Sequence, residues 1–112
     1  MDYRLRDMDQ KGIDMRVITV STPGIYPWRG DAQVRMARHV NDMLARDCRA
    51  HPDRFIGFAS LPLHDIEASL AEIDRAVGEL GMKGVAIGSN IGGPPLNDAR
   101  FEPLWAKLDA MR

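Results

Sequence analysis

The chain has 112 residues, 45% hydrophobic and 28% charged, a composition that is globular rather than disordered overall and suits one domain or part of one. Fifteen basic against sixteen acidic residues leave a formal charge of -1, so bulk electrostatics argue for neither nucleic acid nor an anionic membrane as partner. The single cysteine, Cys48, excludes an internal disulfide and a four-thiolate zinc site, and with no apolar run near ~18 residues and no signal core in M-D-Y-R-L-R-D, the expected location is cytoplasmic.

From Asp2 to Lys11 the pattern predicts a short helix with Leu5 and Met8 facing inward, stopped at Gly12, with Ile13 set to touch Met8. Met15 to Val20 (M-R-V-I-T-V) is β-branched and nearly continuous, hence a strand, and Ser21-Thr22-Pro23-Gly24 ends it as a loop. Tyr26, Pro27 and Trp28 give that loop an aromatic flap. Asp31 is the expected N-cap of a long helix reaching about Ala50, with Met36, Val40, Met43, Leu44 and Cys48 on one stripe and Arg38 and Asp42 on another face. Past His51-Pro52, Phe55 to Leu61 reads as the second strand, closed by Pro62.

Asp65 caps a helix whose Ile66, Leu70, Ile73, Val77 and Leu80 step by four and three residues, and Gly81 ends it. Gly84 to Gly88 (G-V-A-I-G) has no polar face, which places a third strand in a parallel sheet covered by helices. Asp98 or Phe101 opens a last helix, with Pro103 tolerated in its first turn and Leu104, Leu108 and Met111 on the inner side.

Strand starts near 15, 55 and 84 are each one βα unit apart. Three parallel strands leave two unpaired edges, and a closed barrel of eight such units needs ~250 residues. The expected fold is therefore α/β, a partial (β/α)8 TIM barrel of about three parallel strands and four helices. Residues 1–112 form a single incomplete domain in this reading, an internal segment of the barrel whose exposed edges predict self-association. A small doubly wound α/β association module, without catalysis, is the alternative.

In parallel sheets the loops leaving the carboxyl ends of strands carry the ligand site. That points to Ser89 to Leu96 and to Ser21 and Thr22, with Thr22, Ser89 and Asn90 as candidates to line the substrate and loop structure as the other reading. The glycine-rich stretch from Gly88 to Gly93 fits neither dinucleotide nor P-loop spacing, and Pro94-Pro95 withholds two amides where a phosphate-binding helix would begin. His39, His51 and His64 form no H-x-H or H-E-x-x-H pair, so surface or capping roles are favoured; only His64 follows a strand end. Asp7, Asp9, Asp42, Asp47, Glu67, Glu72, Asp74 and Glu79 read as solvated helix charge, and Asp98 as an N-cap. No nucleophile, base and orienter come together in the pattern, and residue chemistry alone names no reaction.

The ordered blocks R-L-R-D-M-D-Q-K-G-I-D (Arg4 to Asp14), Thr22-Pro23 after V-I-T-V-S, Asn41-Asp42, R-F-I-G-F-A-S-L-P-L (Arg54 to Leu63), A-V-G-E-L-G-M-K-G-V-A-I-G-S-N (Ala76 to Asn90) and F-E-P-L-W (Phe101 to Trp105) resemble the amidohydrolase-related metal-dependent decarboxylases. This is the amino-carboxymuconate-semialdehyde decarboxylase-like group, which includes resorcylate and dihydroxybenzoate decarboxylases. The resemblance implies a distorted (β/α)8 barrel holding a divalent metal, zinc or manganese, through an H-x-H, a later histidine and a late aspartate. It also implies a small carboxylate-bearing substrate and a homodimer. No position of this sequence matches those ligands, so the expected metal set within the segment is none, its catalytic set is none, and the segment alone is expected to be inactive. A metal-dependent hydrolase of a lactone or ester in the same superfamily stays open beside the carboxy-lyase.

Overall fold

The computed structural model describes residues 2–20, 24–88 and 95–111. Helix α1 (Asp2–Lys11) ends where Gly12 takes a φ of +67° and the Ile13 amide donates to the Met8 carbonyl at 2.9 Å. That left-handed residue turns the chain into β1 (Arg16–Ile18). The expected strand from Met15 to Val20 is shorter than its β-branched run, because only Arg16 to Ile18 find partners, and Val17 is 48% exposed on the face turned away from the helices.

Helix α2 (Gly30–Ala50) starts one residue before the expected cap: Arg29 is the N-cap, without a side-chain cap bond, and Asp31 lies in the first turn. Its buried stripe is Gln33, Ala37, Asn41 and Ala45, not Met36, Val40 and Met43, and Met43 is 45% exposed. The helix lies against β2 (Phe55–Ala59), on which Phe55, Gly57 and Ala59 face inward; strand pairing stops two residues short of the expected Leu61. Small residues let the layers close up. A Cβ on Gly57 would stand 3.0 Å from Met82 Cε and 3.3 Å from Cys48 Sγ.

Asp65 caps α3 (Ile66–Asp74) as expected, its Oδ1 accepting from the Ala68 amide at 3.0 Å. The predicted regular helix to Leu80 instead widens into a π-helical turn over Arg75–Glu79, which leaves Val77 exposed. Gly81, at φ +72°, stops it. The third strand, β3, is confined to Gly84–Val85 rather than running to Gly88. A 3-10 turn (Ala99–Phe101) capped by Asp98 leads into α4 (Glu102–Ala110) with proline in its first turn; Leu104 is buried and Met111 is exposed.

The sheet order is β1-β2-β3, all parallel, with Arg16 opposite Phe55 and Phe58 opposite Gly84. The core runs beneath it in three clusters: Met8, Ile18 and Phe55 under β1; Ala59, Ala76 and Met82 at the centre; Leu61, Leu63, Ile73, Phe101 and Leu104 beyond β2. Glu72, expected to be solvated helix charge, is 4% exposed and faces α2. Among the described residues no helix is long and apolar enough to cross a membrane.

Candidate functional site

The carboxyl ends of the three strands open onto one cavity of about 240 Å³. Thr19 and Val20 line it after β1, Ser60 after β2, and Ala86 and Gly88 after β3, with Tyr26 of the aromatic flap closing one side. The flap is anchored at both levels. Ile25 is buried, and the Gly88 amide donates to the Tyr26 hydroxyl at 3.2 Å, tying the loop after β1 to the segment that follows β3. The floor is held from behind by α2: the Ser60 amide donates to Asn41 Oδ1 at 2.8 Å, and Asn41 Nδ2 donates to the Ser60 carbonyl at 2.8 Å.

Thr22, Ser89 and Asn90 lie outside the described residues, as does the rest of the glycine-rich loop through Pro94. Their described neighbours Val20, Gly24 and Gly88 line the cavity. The loop returns at Leu96, whose carbonyl accepts from Trp105 Nε1 at 3.2 Å. Asn41 and Ser60 stand in blocks of the family resemblance but were given no role of their own, Asn41 reading as a helix residue and Ser60 as strand; a polar side chain four residues from buried Ala37 and Ala45 was the available signal.

Two of the three histidines, His51 and His64, have local partners. His51 caps α2 and stands edge-on to Phe55, His39 is exposed on α2, and His64 is held by Gln33. The His64 amide donates to Gln33 Oε1 at 3.2 Å, and Gln33 Nε2 lies 2.7 Å from His64 Nδ1 while also donating to the Trp28 carbonyl at 2.9 Å. Burial first, then the Arg29 and Arg100 charges, push the imidazole below its ordinary value, which favours the neutral ring. An amide nitrogen only donates, so opposite Gln33 Nε2 the neutral ring accepts at Nδ1 and carries its proton on Nε2. Burial, and then the Asp47 charge, push the Cys48 thiol up. Asp98 accepts from the Arg100 backbone amide at 3.0 Å, which lowers its carboxyl; it is a cap, as expected.

The described lining offers hydroxyls from Thr19, Tyr26 and Ser60 between apolar surfaces, and no carboxylate or imidazole. Such a wall orients a small ligand by hydrogen bonds and apolar contact.

The amidohydrolase family profile matches residues 1–112. The chain is 36% identical, over 98% of its length, to gamma-resorcylate decarboxylase of Rhodococcus jostii, of which it covers 36%. It is 30% identical, again over 98% of its length, to 2-amino-3-carboxymuconate-6-semialdehyde decarboxylase of Dictyostelium discoideum, covering 31% of that protein. The crystal structure of 5-carboxyvanillate decarboxylase from Novosphingobium aromaticivorans, with bound manganese and a nitrobenzoic acid, matches 96% of this chain and 31% of its own at a TM-score of 0.92 and 38% identity. The chain thus spans about a third of the length of the curated relatives it matches. Among the described residues no three His, Cys, Asp or Glu side chains converge to hold a metal ion, so the described part of the wall does not fit the manganese of that relative. Three parallel strands in sequential order with a cavity at their carboxyl ends match an arc of the TIM-barrel fold of these relatives, and the chain belongs to the amidohydrolase family.

Proposed function

We propose that residues 1–112 are a single incomplete domain, the second strand to the fourth helix of a barrel that removes CO2 from a small aromatic carboxylate without oxygen or an organic cofactor. In this reading the chain supplies part of the substrate wall: Thr22, Ser89 and Asn90 on the loops, with Thr19, Tyr26 and Ser60 beside them. A divalent metal, zinc or manganese, is held by residues outside these 112 and supplies Lewis-acid charge stabilisation. The parent protein is a cytoplasmic homodimer with no nucleic-acid or membrane partner, and the segment by itself self-associates through its open sheet edges.

The observation that carries this reading is the 0.92 TM-score over 96% of the chain against a decarboxylase holding manganese and an aromatic acid, with the cavity at the strand ends. Family membership by itself leaves the reaction open, since one barrel hosts hydrolysis and decarboxylation alike. The test is to supply the intact protein carrying these residues with manganese or zinc, offer gamma-resorcylate and 5-carboxyvanillate, and measure CO2 release. Metal-dependent loss of CO2 from one of them is expected. Hydrolysis of a lactone or ester with no CO2 from either acid would overturn the reading in favour of the hydrolase.

A further inference from the structure

At Ser60 the sheet's own hydrogen bonding has ended. β1 pairs with β2 as far as Ile18 opposite Gly57, and the last described bond from the β3 side is the Ala86 amide on the Ala59 carbonyl at 2.9 Å. One residue further, the Ser60 main chain lies between Thr19 and Val20 on one side and Ala86 to Gly88 on the other, at the cavity. Strands that part to make a cavity strip the middle strand of partners, and each buried backbone group left unpaired costs about 1–3 kcal/mol.

Asn41 meets both groups at once. Its side-chain amide carries the donor and acceptor of a peptide edge, and with both bonds to Ser60 at 2.8 Å it stands where a neighbouring strand would. Its direction is fixed from the far side. Asn41 Nδ2 also donates to Glu72 Oε1 at 3.0 Å, and an ionised carboxylate only accepts, so turning the amide over would set Asn41 Oδ1 against an anion. Glu72 is in turn gripped by Arg75, which reaches it at 2.6 Å and continues to Asp42 at 2.7 Å and to the Arg38 carbonyl. All three members are fixed by packing: Asn41 is wholly buried, Glu72 is 4% exposed and the Arg75 side chain 13%.

We propose that Asn41 is a positioning residue for the substrate. It lets the strands part while holding Ser60 in place at the cavity floor, and Glu72 with Arg75 sets the direction of its amide. The inference rests on reading that cavity as a substrate wall.

Two variants of the intact, metal-loaded protein test it. Asn41→Asp keeps an acceptor for the Ser60 amide, loses the donor to the Ser60 carbonyl and sets a second carboxylate at Glu72. Glu72→Gln keeps the side-chain shape and one acceptor for the Asn41 amide while removing the charge and the second acceptor facing Arg75, which keeps Asp42 and the Arg38 carbonyl as partners, so it serves where Asn41→Asp does not fold. For gamma-resorcylate, KM is expected to rise about tenfold in Asn41→Asp and about threefold in Glu72→Gln, with kcat nearly unchanged. Amide hydrogen exchange at Ser60 is expected to accelerate about tenfold in Asn41→Asp while Phe55 to Ala59 keep their protection. Unchanged protection at Ser60, or equal acceleration along the whole of β2, overturns the proposal, as does a fall in kcat with KM constant. If the parent protein releases CO2 from no aromatic acid, the decarboxylase reading falls, and the exchange pattern alone decides whether Asn41 holds the cavity floor.

Discussion

Two seams of this fold are joined by charged side chains, on opposite terms. Between α2 and α3, Arg75 bridges Glu72 and Asp42, and Glu72 has almost no access to water. Between α1 and the start of β2, Arg54 reaches Asp9 at 2.8 Å, and within α1 beside it Asp7 pairs with Lys11 at 2.8 Å, but Asp9 is 64% exposed and Lys11 63%. Water can solvate the charges of the second seam when a pair opens; it cannot reach Glu72. The comparison separates a pair that constrains the fold from pairs that decorate it, because removing one partner of a buried pair strands the other.

Arg75→Met gives the largest expected effect. It leaves Glu72 with the Asn41 amide and the distant Arg38 guanidinium at 4.0 Å, and should destabilise the protein by about 3–5 kcal/mol in urea unfolding. Replacing Glu72 by Leu as well should restore much of that stability, since no unpaired charge is then buried. A loss under about 1 kcal/mol in the single variant would place this seam in the same class as the exposed one.

The two seams were unequally legible in the sequence. The helix stop at Gly12, the Asp65 cap and the stop at Gly81 are local features, set by one residue's conformation or one short-range bond, and all three stand in the structure. The buried stripe of α2 is not local. Apolarity pointed to Met36, Val40, Met43, Leu44 and Cys48, of which Leu44 and Cys48 do pack against the core, whereas the fully buried positions carry small side chains, which allow close approach to the sheet, or amides, which serve Ser60 and His64. Glu72 was hidden for the same reason: its partners are 31 and three residues away and only the fold brings the first of them near. The π-helical turn begins at Arg75, the residue held by both Glu72 and α2, and helical periodicity contains no trace of that hold. A cavity at the carboxyl ends of the strands followed from topology alone, because parallel strands open there; Ser60 and Asn41 did not, because a residue where pairing ends looks like strand until the partners are known.

The pH dependence of the inner seam is a smaller effect that sharpens the contrast. The hydrogen bond from Arg75 holds the Asp42 carboxyl below its ordinary value, against the opposing pull of desolvation, with the Arg75, Arg38 and His39 charges adding to the lowering. A carboxylate whose folded pKa is depressed contributes stability above its unfolded value, and that contribution disappears as the pH falls through the folded value. Asp42 should therefore contribute in full above about pH 5 and progressively less below about pH 4. The measurement is the urea midpoint from pH 7 down to acid, in the parent and in Asp42→Asn. The variant should show a shallower acid decline, and identical declines would mean that Arg75 gains nothing from Asp42.

The smallest expected effect belongs to the outer seam. Asp9→Asn removes one exposed ion pair, but Arg54 still donates to the Asp14 carbonyl at 2.8 Å and to the Ile13 carbonyl at 3.2 Å, so its guanidinium stays in place. The loss should be about 0.2–1 kcal/mol, and it should shrink as salt is raised toward 1 M, where the screening length is about 3 Å. Arg75→Met, tested in the same salt series, should keep most of its effect, because ions cannot enter the space around Glu72. Equal salt sensitivity of the two variants would mean that the inner seam is open to solvent, and the case for Asn41 as a residue directed by a buried carboxylate would fail with it.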